Sequence, residues 1–323
     1  MVVQIAVLDD YQRRASEFAD WDSLGPETAV TYFHEPIDRG ALVQTLQRFE
    51  VLVLMRERTA LPRAVLEQLS KLELVVTTGM RNASLDVAYL RQRGVAVSGT
   101  EGASGAPRGG VPSTVEVAWA LILALYKRVT IEDRGLRSGT WQLGLPGNLA
   151  GETLGLAGLG RLGAAMVAPA RAFGMEVIAW SQNLGQERAD ACGVARVSKS
   201  QLMAASDVLS IHLVLSDRTR GLFGAGELAQ MKPTAVLVNT SRGPIVDEPA
   251  LVRALRGGTI AGAGLDVFDR EPLPVDHELL ELENTVLLPH LGYVSEAAFR
   301  TMYGQAVEDI AAFVAGAPIR QLP

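Results

Sequence analysis

Three glycines at the spacing Gly158-x-Gly160-x-x-Gly163 close a short apolar run and open a helix-like segment. That spacing suits a dinucleotide. The first glycine makes a tight turn, the second lets backbone approach a pyrophosphate, and the third lets helix pack closely on strand. The helix N-terminus adds free N–H groups and partial positive charge. The position between a strand signal and a helix signal is what gives the motif weight. Further along, three polar residues follow apolar runs: Arg242 after Ala235–Asn239, Glu271 after Ala261–Leu265, and His290 after Val286–Leu288. Ligands of open α/β sheets lie beyond the carboxyl ends of strands, so the topology directs all three towards one crevice. An arginine there captures a carboxylate bidentately. A histidine transfers a proton near neutral pH, and a neighbouring glutamate fixes its tautomer and favours its protonated form. With a nicotinamide, these groups suffice to reduce a 2-keto acid to a 2-hydroxy acid. Of the other histidines, His34 and His277 fall in polar loops, and His212 stands at a strand end where it packs near a cofactor.

The elements that must position these residues form two series. Short β-branched runs at Val3–Leu8, Val51–Met55, Leu74–Thr77 and Val95–Val97 alternate with helix-like stretches at Ala41–Arg48, Pro62–Leu69 and Asp86–Arg93, the last stopped by Gly94. This alternation predicts a small parallel sheet covered on both faces. A glycine-rich stretch from Gly99 to Gly110 reads as a hinge or surface loop, and Ser113 with Glu116 reads as a capping box for the helix that follows. The second series predicts six strands: Leu154–Ala157, Glu176–Ala179, Val208–Ile211, Ala235–Asn239, Ala261–Leu265 and Val286–Leu288. Helices fit at Leu162–Phe173, Gln201–Ala205, Gly226–Met231 and Glu248–Arg256, and a last one at about Glu296–Val314 is expected to return to the first domain. The prediction is α/β, with two doubly wound parallel-sheet domains: a flavodoxin-like substrate domain over 1–100 and a Rossmann dinucleotide-binding domain over 101–293, with residues 294–323 as the returning helix.

At 323 residues the chain can bury two cores. Its net charge of −6, with Lys and Arg spread along the chain, argues against nucleic acid as a partner. The single Cys192 permits no internal disulfide and fits a reducing compartment. The apolar run Val117–Tyr126 is too short to span a bilayer, so a cytoplasmic protein without membrane contact is expected. An acid about 20 residues past the glycine motif would hold the ribose 2′-hydroxyl and exclude a 2′-phosphate. Ser181 stands there, with Arg188 the nearest arginine, so NAD and NADP both remain open.

In order, Gly155 to Gly163, Ser206-Asp207 through His212-Leu213, Lys232-Pro233, Asn239–Gly243, Val246-Asp247-Glu248, Ala263–Pro272 and Pro289–Gly292 resemble signatures of the D-isomer-specific 2-hydroxyacid dehydrogenase family. The resemblance covers nearly the whole chain and is strongest from Leu149 to Tyr293. It implies an NAD- or NADP-dependent enzyme moving hydride between nicotinamide and a small 2-hydroxy or 2-keto acid, with no metal. By the same resemblance Arg242 binds the substrate, His290 is the general acid/base and Glu271 its partner. Asp266 would contact the nicotinamide carboxamide. Gly158, Gly160, Arg161, Leu162, Gly163, Ser181, Leu213, Thr240, Ser241 and Gly292 would line the cofactor. A homodimer through the region around Val115–Trp141 is implied as well. The family's substrate loop is altered here: in Thr78-Gly79-Met80-Arg81-Asn82-Ala83-Ser84-Leu85-Asp86, only Gly79 and Asp86 fit. Gly79, Met80 and Arg81 are substrate candidates, as is Arg56, which matches an arginine of phosphoglycerate dehydrogenases. Phosphoglycerate dehydrogenase is therefore the alternative within the family, and a dinucleotide-sensing co-repressor the alternative of another class.

Overall fold

The computed structural model describes residues 2–101 and 112–322. The chain divides into two units, Met1–Gly105 with Val294–Pro323, and Ala106–Tyr293. The first is built on β1 (Val3–Val7), β2 (Thr28–Tyr32), β3 (Val51–Leu54), β4 (Leu74–Thr77) and β5 (Ala96–Gly99), in the order β2-β1-β3-β4-β5. Every pairing is parallel, with Val53 beside Val7 on one side and Val76 on the other. This is the flavodoxin-like order, which reverses between β1 and β3. β3 and β4 are buried at every position, which is why both read as unbroken apolar runs rather than alternating ones. The helix Glu296–Val314 packs on β4 and β5 and against the short helix Ala15–Phe18, where Phe299 meets Phe18 edge to face at 5.8 Å.

The second unit carries β6 (Thr153–Ala157), β7 (Glu176–Trp180), β8 (Ala195–Arg196), β9 (Val208–Ile211), β10 (Val236–Asn239), β11 (Gly262–Leu265) and β12 (Thr285–Leu287). Their order is β12-β11-β10-β9-β6-β7-β8, all parallel. It is the Rossmann order extended by one strand, with its switch point between β6 and β9. The helix Ser113–Tyr126 covers one face through Leu121 and Ile122, while the helix Glu248–Arg256 covers the other through Leu251 and Leu255. No helix among the described residues is long and apolar enough to cross a membrane.

Several elements depart from expectation. β2 has no counterpart among the expected strands: all five of its residues are only half-buried, so it lacks the apolar run that marks a central strand. The second sheet has seven strands rather than six, because the two-residue edge strand β8 is exposed and too short to leave a pattern. The helix expected over Leu162–Phe173 is two pieces, Arg161–Ala165 and Val167–Ala172. Pro169 lacks the N–H that would bond the Ala165 carbonyl, and its ring crowds that carbonyl. The capping box at Ser113 is not formed. Pro112 is the extended N-cap residue, and Ser113 already lies within the helix, with no side-chain cap bond. The expected hinge at Gly99 to Gly110 falls, from Gly102 onward, outside the described residues.

Candidate active site

Three loops of the second unit converge beyond the carboxyl ends of β10, β11 and β12, and each brings one of the polar residues singled out in the sequence. Arg242 follows β10 on a short turn. Asn239 Nδ2 donates to the Arg242 carbonyl at 3.0 Å, its Oδ1 accepts Ser241 N–H at 3.0 Å, and Ser241 Oγ donates to the Ile211 carbonyl at 2.8 Å. The turn is thereby pinned to the end of β9. Gly243 lies so close to the next loop that a Cβ there would sit 2.0 Å from the Phe268 carbonyl carbon. Only glycine permits this approach, which brings the Arg242 turn against the Glu271 loop.

Glu271 Oε1 accepts the Phe268 N–H at 3.0 Å, and Oε2 meets His290 Nδ1 at 2.6 Å. Burial pushes the Glu271 carboxyl up, but the His290 bond and charge, the Phe268 N–H and the Arg242 charge together hold it below the usual carboxylate range. His290 itself adopts a left-handed backbone, φ 54°. Its loop is clamped from below by Asp266, whose two oxygens accept the N–H groups of Leu291 at 2.6 Å and Gly292 at 2.8 Å. Thr114 Oγ1 donates to the Gly292 carbonyl at 2.7 Å. Asp266 is fully buried, and burial pushes its carboxyl up to about 6 against the pull of those two N–H groups and of His290. With Nδ1 committed to Glu271, the ring presents Nε2 as its reactive nitrogen.

The glycine motif sits at the β6–β9 switch point. Gly158 has φ 105°, and a Cβ there would lie 2.5 Å from the His212 carbonyl oxygen and 3.2 Å from Leu213 Cδ2. A Cβ on Gly163 would lie 2.0 Å from the Gly158 carbonyl oxygen, whereas one on Gly160 would meet nothing within 4 Å. The first and third glycines thus serve packing, and the second leaves the loop open to a ligand. Thr240 Oγ1 and His212 Nδ1 are buried with no hydrogen-bond partner among the described residues. The open glycine, the helix start at Arg161 and Leu162, and the orphaned Thr240 hydroxyl at the end of β10 fit a dinucleotide. Burial pushes the His212 ring down to about 4, so it is neutral at physiological pH. Its Nε2 lies 2.9 Å from Ser210 Oγ. Ser181 follows β7, and Arg188 donates from Nε to the Leu159 carbonyl at 3.1 Å and from Nη2 to the Gly160 carbonyl at 3.4 Å. No local spacing relates this guanidinium to the glycine loop, which lies 28 and 29 residues earlier in the chain.

The other candidates belong to the first unit. Arg56 has φ 54°; its N–H donates to Thr78 Oγ1 at 2.8 Å and its Nη1 to the Thr78 carbonyl at 3.0 Å. Gly79, φ 140°, makes room for that guanidinium: a Cβ would stand 2.4 Å from Arg56 Nη1. Met80 and Arg81 are exposed.

The sequence profile described as "D-isomer specific 2-hydroxyacid dehydrogenase, NAD binding domain" matches residues 119–292. Glyoxylate reductase of Korarchaeum cryptofilum is 38% identical over 258 residues, 78% of this chain and 76% of that protein. D-3-phosphoglycerate dehydrogenase of Archaeoglobus fulgidus is 33% identical over 288 residues, 88% of this chain but 53% of that protein. The crystal structure of phosphoglycerate oxidoreductase from Vibrio cholerae superposes with a TM-score of 0.90 at 33% identity, covering 98% of this chain and 100% of that one.

Proposed function

This chain belongs to the D-isomer-specific 2-hydroxyacid dehydrogenases, NAD(P)-dependent oxidoreductases of small 2-hydroxy and 2-keto acids, and we propose that Arg242, Glu271 and His290 carry its reaction on a short 2-keto acid of the glyoxylate or hydroxypyruvate type. The observation that carries this reading is the 2.6 Å bond between Glu271 Oε2 and His290 Nδ1, with the Arg242 charge acting on the same carboxylate. A bound nicotinamide dinucleotide supplies the hydride. The other requirements fall on the protein. Arg242 pairs with the substrate carboxylate. His290 donates the Nε2 proton to the keto oxygen as it gains charge, while the Nδ1 proton stays on the ring, hydrogen-bonded to Glu271 Oε2. In the oxidising direction the neutral Nε2 takes the hydroxyl proton back.

A singly charged substrate is favoured because Arg56 already donates to the Thr78 carbonyl and Arg81 stands exposed. The Korarchaeum glyoxylate reductase is 38% identical to this chain and the Archaeoglobus phosphoglycerate dehydrogenase 33%. These relatives are enzymes, which favours turnover over a co-repressor role. Ser181 carries no charge to repel a 2′-phosphate, and Arg188 supplies a cation on the adjacent glycine loop, so both NADPH and NADH are accepted, with NADPH preferred. The exposed side chains of Val129, Leu136, Trp141 and Leu145 support a homodimer through this segment.

Initial rates with NADPH or NADH and glyoxylate, hydroxypyruvate or phosphohydroxypyruvate test the reading. The first two acids should exceed the third in kcat/KM by at least about tenfold, roughly 1.4 kcal/mol. The reverse order would reassign the substrate to the phosphorylated acid, and no turnover with any pair would reject the reading.

A further inference from the structure

The loop that carries Glu271 is held by a second histidine–glutamate pair. Glu248 opens the helix Glu248–Arg256, beside its N-cap Asp247. Its Oε2 accepts the Asp269 N–H at 3.2 Å, and its Oε1 lies 3.0 Å from His277 Nε2. The other nitrogen of that ring, Nδ1, accepts the Leu279 N–H at 3.2 Å, capping the 3-10 turn Glu278–Glu281. Nδ1 therefore carries no proton, and Nε2–H is the donor to Glu248. Each polar atom of the pair has one partner: Leu279 N–H to the ring, the ring to Oε1, and Asp269 N–H to Oε2. Both side chains are largely buried, at 21% and 16% exposure. The Asp269 amide is fixed from the other side as well, since a Cβ on Gly243 would lie 2.5 Å from the Asp269 nitrogen. Asp269 lies two residues before Glu271 and one after Phe268, whose N–H bonds Glu271 Oε1.

We propose that His277 and Glu248 are positioning residues, which hold the Asp269 amide so that Glu271 meets His290 Nδ1. The inference rests on the role proposed above for the Glu271–His290 pair. Neither residue needs to touch the substrate. A 2.6 Å charge-assisted bond is sensitive to where its carboxylate stands, and the backbone two residues away sets that position. Glu248→Gln retains the side chain's size but has one acceptor oxygen for two N–H donors. The ring cannot switch tautomer to relieve this, because Leu279 N–H occupies Nδ1. His277→Asn keeps a capping oxygen for Leu279 N–H and removes only the tie to Glu248.

The test compares four variants, Glu271→Gln, His277→Asn, Glu248→Gln and the double His277→Asn/Glu271→Gln, by the kcat pH profile in the reducing direction. Alongside it, Tm and the Kd for NADPH are read by fluorescence titration. Glu271→Gln should move the alkaline limb to lower pH. His277→Asn and Glu248→Gln should move it in the same direction by a smaller step, with kcat down about tenfold, NADPH Kd within about twofold and Tm retained. The double variant should move the limb no further than Glu271→Gln alone. If Glu271→Gln shifts the limb and the two other single variants do not, the positioning role is overturned while the catalytic pair stands. If Glu271→Gln itself leaves the limb in place, both fail. A lowered Tm with an unmoved limb assigns His277 and Glu248 to stability alone and overturns the proposal, as does an additive shift in the double variant.

Discussion

In the first unit the sheet order reverses between β1 and β3, and the crevice there is filled. Asp9, φ 59°, turns into it, buried, with Oδ2 accepting Thr59 Oγ1–H at 2.8 Å and Oδ1 accepting Tyr11 O–H at 3.1 Å, while Arg58 Nη1 donates to the Asp9 carbonyl at 2.7 Å. In the second unit the reversal lies between β6 and β9, and the first turn carries glycines: Gly158 has φ 105°, and space opens at Gly160. Parallel doubly wound sheets thus put a crevice in the same topological place, and the residue type at the first turn decides whether it is occupied by the protein or left for a ligand. The buried acids differ in the same sense. Asp9 accepts side-chain donors, so its clamp uses up the polar residues around it. Asp266 accepts backbone N–H groups, which leaves the side chains of the clamped loop, His290 among them, available for chemistry.

The largest effect should come from the left-handed residues beyond β3 and β12, Arg56 and His290, both at φ 54°. His290→Ala removes the proposed proton donor and should lower kcat for glyoxylate reduction by roughly 10²–10⁴-fold, with NADPH affinity nearly unchanged. Arg56→Ala breaks a bond to a main-chain carbonyl and should cost less than about tenfold in kcat/KM for the same substrate, since a single hydrogen bond contributes about 0.5–1.5 kcal/mol. Equal losses in kcat would show that the two residues do comparable work.

The glycines come next. Gly158→Ala and Gly79→Ala both force a side chain into a backbone conformation that favours glycine, a penalty on the order of 1–2 kcal/mol. The neighbours differ. The new methyl at 158 meets the His212 main-chain oxygen at 2.5 Å, which cannot move without parting β6 from β9, while at 79 it meets the end of a flexible arginine at 2.4 Å. Gly158→Ala should therefore weaken NADPH binding by at least about tenfold and lower Tm, and Gly79→Ala should lower Tm by less, through the backbone penalty and the displacement of Arg56 alone. Isothermal titration and thermal melts measure both, and an unchanged NADPH Kd in Gly158→Ala would remove the glycine loop from the cofactor site.

The same contrast marks how far the sequence could be read. Central strands were legible because burial on both faces demands continuous apolar runs, as at Val51–Leu54 and Val208–Ile211. The half-buried edge strand Thr28–Tyr32 and the polar helix Gln186–Cys192 were not, because neither buries enough apolar surface to impose a period. Arg242, Glu271 and His290 were legible as polar residues at strand ends. What holds them was not: the Asp266 clamp on Leu291 and Gly292, the contact of Gly243 with Phe268, and the Glu248–His277 tie each join residues distant in sequence. No local spacing encodes such a meeting of loops, and a glutamate opening a helix reads only as favourable to the helix dipole.

The smallest expected effect compares one fully buried carboxyl in each unit. Burial pushes both Asp266 and Asp309 up to about 6. Asp266 is held by main-chain N–H groups, and Asp309 by Arg320 Nε at 2.9 Å. A raised folded-state value means that the native state binds the proton more tightly than the unfolded chain. The stability each group contributes is therefore fully present below the ordinary carboxylate range and is lost as pH rises through about 6. Linkage puts the change between pH 7.5 and pH 5 at about 1.4 kcal/mol per group. Asp266→Asn and Asp309→Asn each impose a pH-independent penalty, since the amide N–H₂ replaces one acceptor. Each should also lose its share of the stabilisation that the native protein gains on acidification. Urea unfolding at the two pH values separates these parts, because only the second depends on pH. If Asp309→Asn instead became relatively more stable at pH 5, the Arg320 ion pair would be holding that carboxylate charged. The two acids would then differ in kind, with burial governing the site of the second unit and charge pairing the helix of the first.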